Sequence, residues 1–240
     1  MIEYLGVSRS YGSRLAVDDL HLEIPPGELF AFLGPNGAGK TTTMKMAVGL
    51  LRPNQGSVRV CGHDVAQEPR LAKSKLSYVP DEPHLYDKLT GREFLQFIAE
   101  MYGIDGTRET EKQIEHFEIG GFVDELTETY SHGMKQRLVF ASAFLHHPEV
   151  LVVDEPMVGL DPKSIRLVKD LLREQARAGT TVFMSTHTLA VAEEIGDRIG
   201  ILMGGKLQFI GTLAELKDDF QQNHSSLEEM FLEMTRQAET

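Results

Sequence analysis

Cysteine is nearly absent. Cys61, alone among 240 residues, excludes an internal disulfide and any all-cysteine metal site. That fits a reducing compartment, and cytoplasm is the expected location. Long hydrophobic runs are missing as well: the longest clearly apolar run, Leu138 to Leu145, falls far short of the roughly 18 residues needed to span a bilayer. Met1-Ile2-Glu3 begins no signal peptide, so the chain is not expected to cross a membrane unaided. Basic residues are in deficit, 24 against 36 acidic ones, and the formal net charge of -12 argues against binding nucleic acid mainly through its phosphates. No nucleic-acid partner is expected. What remains is a globular composition, 41% hydrophobic and 25% charged, which excludes disordered and collagen-like classes. Its length suits one large domain, or a core with a smaller lobe.

Changes in hydrophobic period mark the organisation. Leu20, Leu22 and Ile24 alternate with His21 and Glu23, which predicts an edge-type strand, whereas Leu29 to Leu33 is too uniformly apolar for anything but a central one. A helix-like stretch runs from Thr41 to Leu51, and after the turn Arg52-Pro53-Asn54-Gln55-Gly56 the alternation resumes over Ser57 to Cys61, suggesting antiparallel sheet in this half. From His84 to His147 apolar residues recur at three- and four-residue spacing, as over Arg92 to Tyr102 and Arg108 to Ile119, so this region reads as an inserted helical lobe. Val150 to Val153 and Thr180 to Met184 flank a helix near Pro162 to Ala178, the βαβ rhythm of a parallel sheet. The expected architecture is α/β: a core over 1–83 and 148–210 that includes an N-terminal antiparallel β subdomain, an α-helical subdomain over 84–147, and a helical tail over 211–240. That tail carries seven acidic residues against two basic ones.

Gly34-Pro35-Asn36-Gly37-Ala38-Gly39-Lys40-Thr41 is a full Gly-x4-Gly-Lys-Ser/Thr match, placed after a buried strand and before a helix, with Thr42 following. Glycines let successive backbone N–H groups curve around a phosphate chain, and the helix adds its positive N-terminal dipole. In this motif the lysine reaches the β- and γ-phosphates and the hydroxyl, here Thr41, ligates magnesium. This is a P-loop signal, and a nucleotide with Mg2+ is expected. Val153-Asp154-Glu155 then delivers two adjacent carboxylates at the end of a strand, the edge where ligands sit in open α/β sheets. Asp154 suits magnesium, and Glu155 suits orienting and deprotonating an attacking water. Asp161 before Pro162 reads as a helix N-cap with proline at the first position, and Ser131 as the N-cap of a helix ending near Pro148.

Taken in order, Gly34 to Thr41, Tyr130-Ser131-His132-Gly133-Met134, Asp154-Glu155, Leu160-Asp161 and His187 resemble an ATP-binding cassette ATPase across nearly the whole chain. The resemblance implies head-to-tail pairs of cassettes, each ATP gripped by one subunit's phosphate loop and the other's signature sequence. The family's signature is Leu-Ser-Gly-Gly-Gln; this chain keeps Ser131 and Gly133, the two positions that touch phosphate in relatives, and changes the first and last. By the same resemblance His187 is the switch histidine at the γ-phosphate, Tyr11 packs an aromatic ring against adenine, and Asp161 helps shape the partner's site. Most relatives have glutamine where Tyr78-Val79-Pro80-Asp81-Glu82-Pro83 places Asp81. Asp81 is either a turn residue between prolines or a magnesium-facing acceptor.

Neither the long coiled coils of relatives that act on DNA nor a second fused cassette occurs here, so the resemblance implies an ATPase subunit of a transporter. Its permease would be a separate integral membrane protein, met by the helical lobe around Pro83 to Leu95, holding the cassette peripherally on the inner face of the plasma membrane. The short acidic tail resembles bacterial exporters. A soluble ATP-dependent regulator or nucleic-acid repair factor is the alternative; a GTPase is not favoured, because no Asn-Lys-x-Asp guanine reader is present.

Overall fold

The structure, a computed structural model, describes residues 1–220. The expected helical tail enters it only as far as Phe220, and 221–240 lie outside the described residues.

Two sheets organise the chain. The smaller is antiparallel, in the order β2 (Arg14–Ile24), β1 (Ile2–Tyr11), β4 (Gln55–Val60), β5 (His63–Asp64), so the alternating strand does occupy an edge. The larger runs β10 (Lys206–Gly211), β9 (Arg198–Met203), β3 (Leu29–Leu33), β8 (Thr181–Thr186), β7 (Val150–Val153), β6 (Leu76–Val79). Its strands are parallel from β9 to β6, and β10 is antiparallel to β9. β3 is central and wholly buried because both faces of this sheet are covered. Side chains alternate along it: Phe30 and Phe32 pack toward the antiparallel sheet with Tyr4, Met44 and Phe183. Leu29, Ala31 and Leu33 face the helices α6 (Pro162–Arg177) and α7 (Leu189–Ile195).

Parallel pairing sets the functional edge. Leu33 pairs with Thr186, Met184 with Val153, and Val153 with Val79. The ends of β3, β8, β7 and β6 therefore lie side by side, and the chain leaving each one carries, respectively, Gly34 onward, His187, Asp154-Glu155 and Asp81.

The lobe holds α3 (Gly91–Tyr102), α4 (Gly106–His116), a short 3-10 turn (Thr127–Thr129) and α5 (His132–Phe144). A capping box between Thr90 and Glu93 starts α3 and left-handed Gly103 stops it. Its own apolar cluster joins Phe94, Leu95, Ile114, Val123 and Leu138. Yet α5 faces two ways, since Phe140 and Phe144 pack into the central core while Leu138 and Ala141 pack into the lobe. Two helices are shorter than their periodicity suggests. α1 (Lys40–Ala47) ends before Gly49, whose φ of 69° leaves the helical region, and α4 stops before Glu118 at φ 52°. The short α2 (Pro69–Ser74) precedes β6, and α8 (Leu213–Phe220) follows β10.

Candidate active site

The loop from Gly34 to Gly39 owes its path to two glycines. A Cβ on Gly34 would collide with the Leu202 carbonyl oxygen, and one on Gly39, at φ 110°, with that of Ala16. No side chain fits either position. Neighbouring backbone thus clamps the loop, and Gly205 N–H donates to Ala38 O at 3.0 Å. Lys40 opens α1 and is 5% exposed; its ammonium donates to Gly34 O at 2.7 Å and Pro35 O at 3.2 Å. It also lies in ion-pair contact, 3.3 Å from Glu155 Oε1, a buried oxygen with no hydrogen-bond donor among the described residues.

Asp154 is fully buried at the end of β7. Burial pushes its carboxyl above the ordinary aspartate range, the Ser185 and Thr41 hydroxyls pull it down, and the nearby Asp81 and Glu155 charges push it up again. Its Oδ1 accepts from Ser185 Oγ at 2.5 Å, whereas Oδ2 is buried with no partner among the described residues. Ser185 also holds the backbone of the next residue: its Oγ accepts from Glu155 N–H at 2.9 Å. That bond helps fix Glu155 at φ 46°, a left-handed backbone that costs a non-glycine residue about 1–2 kcal/mol. The strained bend brings Glu155 Oε2 to 2.9 Å from His187 Nδ1, which donates when the glutamate is ionised. Glu155 is therefore held between Lys40 and His187.

Lys40 and Glu155 open onto a cleft of about 430 Å³ lined also by Tyr11, Asn36, Gly37, Gly39, Thr41, Thr42 and Asp81, with Asp154 and His187 beside Glu155 and outside that lining. Gly34 and Ala38 turn away from it into packed backbone and core. Asp81 is exposed, and its Oδ1 accepts from Glu82 N–H at 2.9 Å, a local turn contact. Ser131, Gly133 and Asp161 do not line the cleft. Ser131 caps α5, accepting from Met134 N–H at 3.4 Å. Asp161 caps α6 through the N–H groups of Lys163 and Ser164, and Gly133 borders a separate cavity of about 210 Å³ between α5 and α6.

Two residues here escape motif reading. Arg14 lines the cleft and donates to Gly37 O at 3.1 Å. Ser185 ties the Asp154 carboxylate to the Glu155 backbone; its signal is a hydroxyl at the functional end of an otherwise apolar strand.

A family model described as ABC transporter matches residues 17–158. The chain belongs to the ABC transporter family. The daunorubicin/doxorubicin resistance ATP-binding protein DrrA of Streptomyces peucetius is 39% identical over 225 residues, which span 92% of this chain and 68% of that protein. A solved structure of the ATP binding subunit of an ABC transporter matches with a TM-score of 0.90 at 33% identity, covering 98% of this chain and 99% of the other. The dimeric post-hydrolysis structure of the ATP-binding cassette MJ0796, bound to ADP and Pi, matches at 0.81 and 24% identity over 89% of this chain and 99% of that one, a likeness of fold. The chain is thus an ATP-binding subunit of an ABC transporter, and an ATPase.

Proposed function

We propose that this cassette powers an exporter: it hydrolyses MgATP in the cleft, works as one of a head-to-tail pair, and drives a separate integral membrane permease from the inner face of the plasma membrane. The observation that carries the reading is the Lys40–Glu155–His187 chain at the mouth of the phosphate loop. Lys40 is the phosphate-binding cation. Glu155, with one oxygen on His187, orients the attacking water and takes its proton; His187 meets the γ-phosphate side of that water.

The donor set fits magnesium. Asp154 Oδ2 is an acceptor buried without a hydrogen-bond donor among the described residues, a costly state in a dry site unless a cation meets it, and Thr41, whose hydroxyl bears on the same carboxyl, lines the cleft. Thr41 and Asp154 would hold the ion, with Asp81 as a third acceptor. Bound there, magnesium would neutralise charge on the β- and γ-phosphate oxygens. Tyr11 would pack against the adenine, while Asn36, Gly37, Ala38, Gly39 and Thr42 complete the loop. Ser131, Gly133 and Asp161 face the partner's nucleotide, which accounts for an exposed row of residues lying outside the cleft of their own chain.

In this reading 1–83 and 148–210 form the nucleotide-binding core, 84–147 the helical subdomain and 211–240 the tail. The permease contact is supported by apolar side chains left in water on or beside the lobe: Met101 at 68% exposure, Leu50 at 60% and Tyr86 at 58%. No helix among the described residues is long and apolar enough to cross a membrane, and a net charge of -12 disfavours direct docking to an anionic leaflet. Attachment is therefore through protein. Export is supported by the resistance role in the name of the DrrA relative. Purification of the tagged chain from detergent-extracted membranes tests the assignment: a stoichiometric polytopic protein should co-purify, and recovery of only soluble or nucleic-acid partners would overturn it.

A further inference from the structure

Arg14 belongs to none of the recognised motifs, yet it stands in the cleft. It ends the β1–β2 hairpin directly opposite Tyr11, across the turn made by Gly12 and Ser13. Residues opposite each other in an antiparallel pair project from the same face, so the Tyr11 ring and the Arg14 side chain rise together. The Arg9 guanidinium sits 5.1 Å from the centroid of the Tyr11 ring and covers one of its faces. A base can therefore stack only on the other. From beside that ring, Arg14 reaches across to the phosphate loop, where Nη2 donates to Gly37 O at 3.1 Å.

The electrostatics single it out. Lys40 and Arg14 are the two cations lining the cleft. Lys40 is buried against Glu155 and the loop carbonyls. Arg14 is exposed, and among the described residues its one side-chain hydrogen bond is to a neutral carbonyl. A guanidinium donates more strongly to a phosphate oxygen than to a carbonyl. In a nucleotide the groups between the base and the β-phosphate are the ribose and the α-phosphate, and Arg14 spans that interval between Tyr11 and Gly37.

We propose that Arg14 is a nucleotide-binding residue, exchanging the Gly37 carbonyl for an α- or β-phosphate oxygen on the base side of the loop. The inference rests on the proposed reading of the cleft. It needs no γ-phosphate, so ADP with magnesium is the probe, titrated calorimetrically into the full chain. Arg14→Gln should weaken ADP binding about tenfold, equivalent to ~1.4 kcal/mol, and flatten the salt dependence of log Kd by removing one cation–phosphate contact. Arg14→Lys should restore the salt dependence and recover most of the affinity. Melting curves establish that each variant is folded. If Arg14→Gln binds ADP within twofold of the parent while Lys40→Ala binds weakly, this inference alone is overturned. An Arg14→Lys chain as weak as Arg14→Gln, with a flat salt dependence, would likewise reduce the residue to a brace on Gly37. A Lys40→Ala chain that binds ADP at full strength would overturn the cleft reading and this inference with it.

Discussion

The edge that bears Glu155 and the edge that bears Ser131 are built differently. Around Glu155 the polar groups are held by one another: Ser185 joins the Asp154 carboxylate to the Glu155 backbone N–H, His187 takes one glutamate oxygen, and Lys40 lies against the other. The backbone there is held in a left-handed conformation, and the lysine and the aspartate are buried. At the other edge, Ser131 and Asp161 are exposed, and among the described residues their side chains do no more than cap α5 and α6. A preorganised site stores strain and desolvated charge to gain chemistry; a helix cap does not. The contrast teaches that one edge is preorganised around its own cleft, while the other is finished locally by helix caps.

The largest expected effect tests the first edge. Glu155→Gln keeps the shape and loses the base, so ATP turnover should fall by about 100-fold or more while ATP binding persists. Trapped nucleotide should then hold two chains together, visible by light scattering with ATP and magnesium. A monomer at every attainable concentration, together with parental turnover, would remove Glu155 from the role proposed for it.

The second test asks whether the two edges serve one nucleotide from different chains. Lys40→Ala and Ser131→Arg should each cut turnover about tenfold or more alone. Mixed complexes carrying one of each retain one intact composite site beside one doubly damaged site, so part of the activity should return. Complete silence in verified mixed complexes would count against pairing.

Capping and phosphate contact at Ser131 can be separated by one substitution. Aspartate is as good an N-cap as serine, so Ser131→Asp should melt within a few degrees of the parent. It also sets a negative charge where the partner's triphosphate would lie, and turnover should drop roughly tenfold. Ser131→Ala gives the converse, losing about 1 kcal/mol of stability with the cap. A stable and fully active Ser131→Asp chain would leave Ser131 as a cap and nothing more.

How far the sequence alone reaches follows the same division. Gly34 to Thr41 is legible because a phosphate loop needs glycine at fixed places, and the structure supplies the reason in the backbone that crowds Gly34 and Gly39. The strands β3, β7 and β8 are legible as apolar runs because both faces of their sheet are covered. β6 is not, since its four residues include Ser77 and sit between a short helix and a proline. Arg14 and Ser185 are invisible for another reason: their place comes from contacts between segments far apart in the chain, which bring residue 185 beside 154 and residue 14 beside 37. Ser131 and Asp161 looked like caps and are caps. No spacing rule distinguishes a cap that also meets a partner's phosphate from one that does not.

The smallest expected effect lies at Asp81, on the Glu155 edge. Its Oδ1 is engaged by the following N–H, as a turn aspartate should be. It nevertheless lines the cleft with Thr41 and Glu155, and its charge pushes up the carboxyl of Asp154 and, together with burial, the phenol of Tyr78. A carboxylate this close to Asp154 adds an acceptor for magnesium and repels the triphosphate, so the ion should be needed both as ligand and as screen. Asp81→Ala should therefore raise the magnesium concentration for half-maximal ATPase, by about threefold for the loss of one partly exposed ligand, and loosen the link between hydrolysis and transport. Asp81→Gln keeps an oxygen acceptor at this point and should retain much of both. The informative measurement is a magnesium titration at fixed ATP, because a residue that only shapes the turn would change stability without moving that midpoint. An unchanged magnesium requirement with intact transport in Asp81→Ala would confine Asp81 to the turn, and the segment joining β6 to the helical lobe would then have no chemical means of sensing the nucleotide.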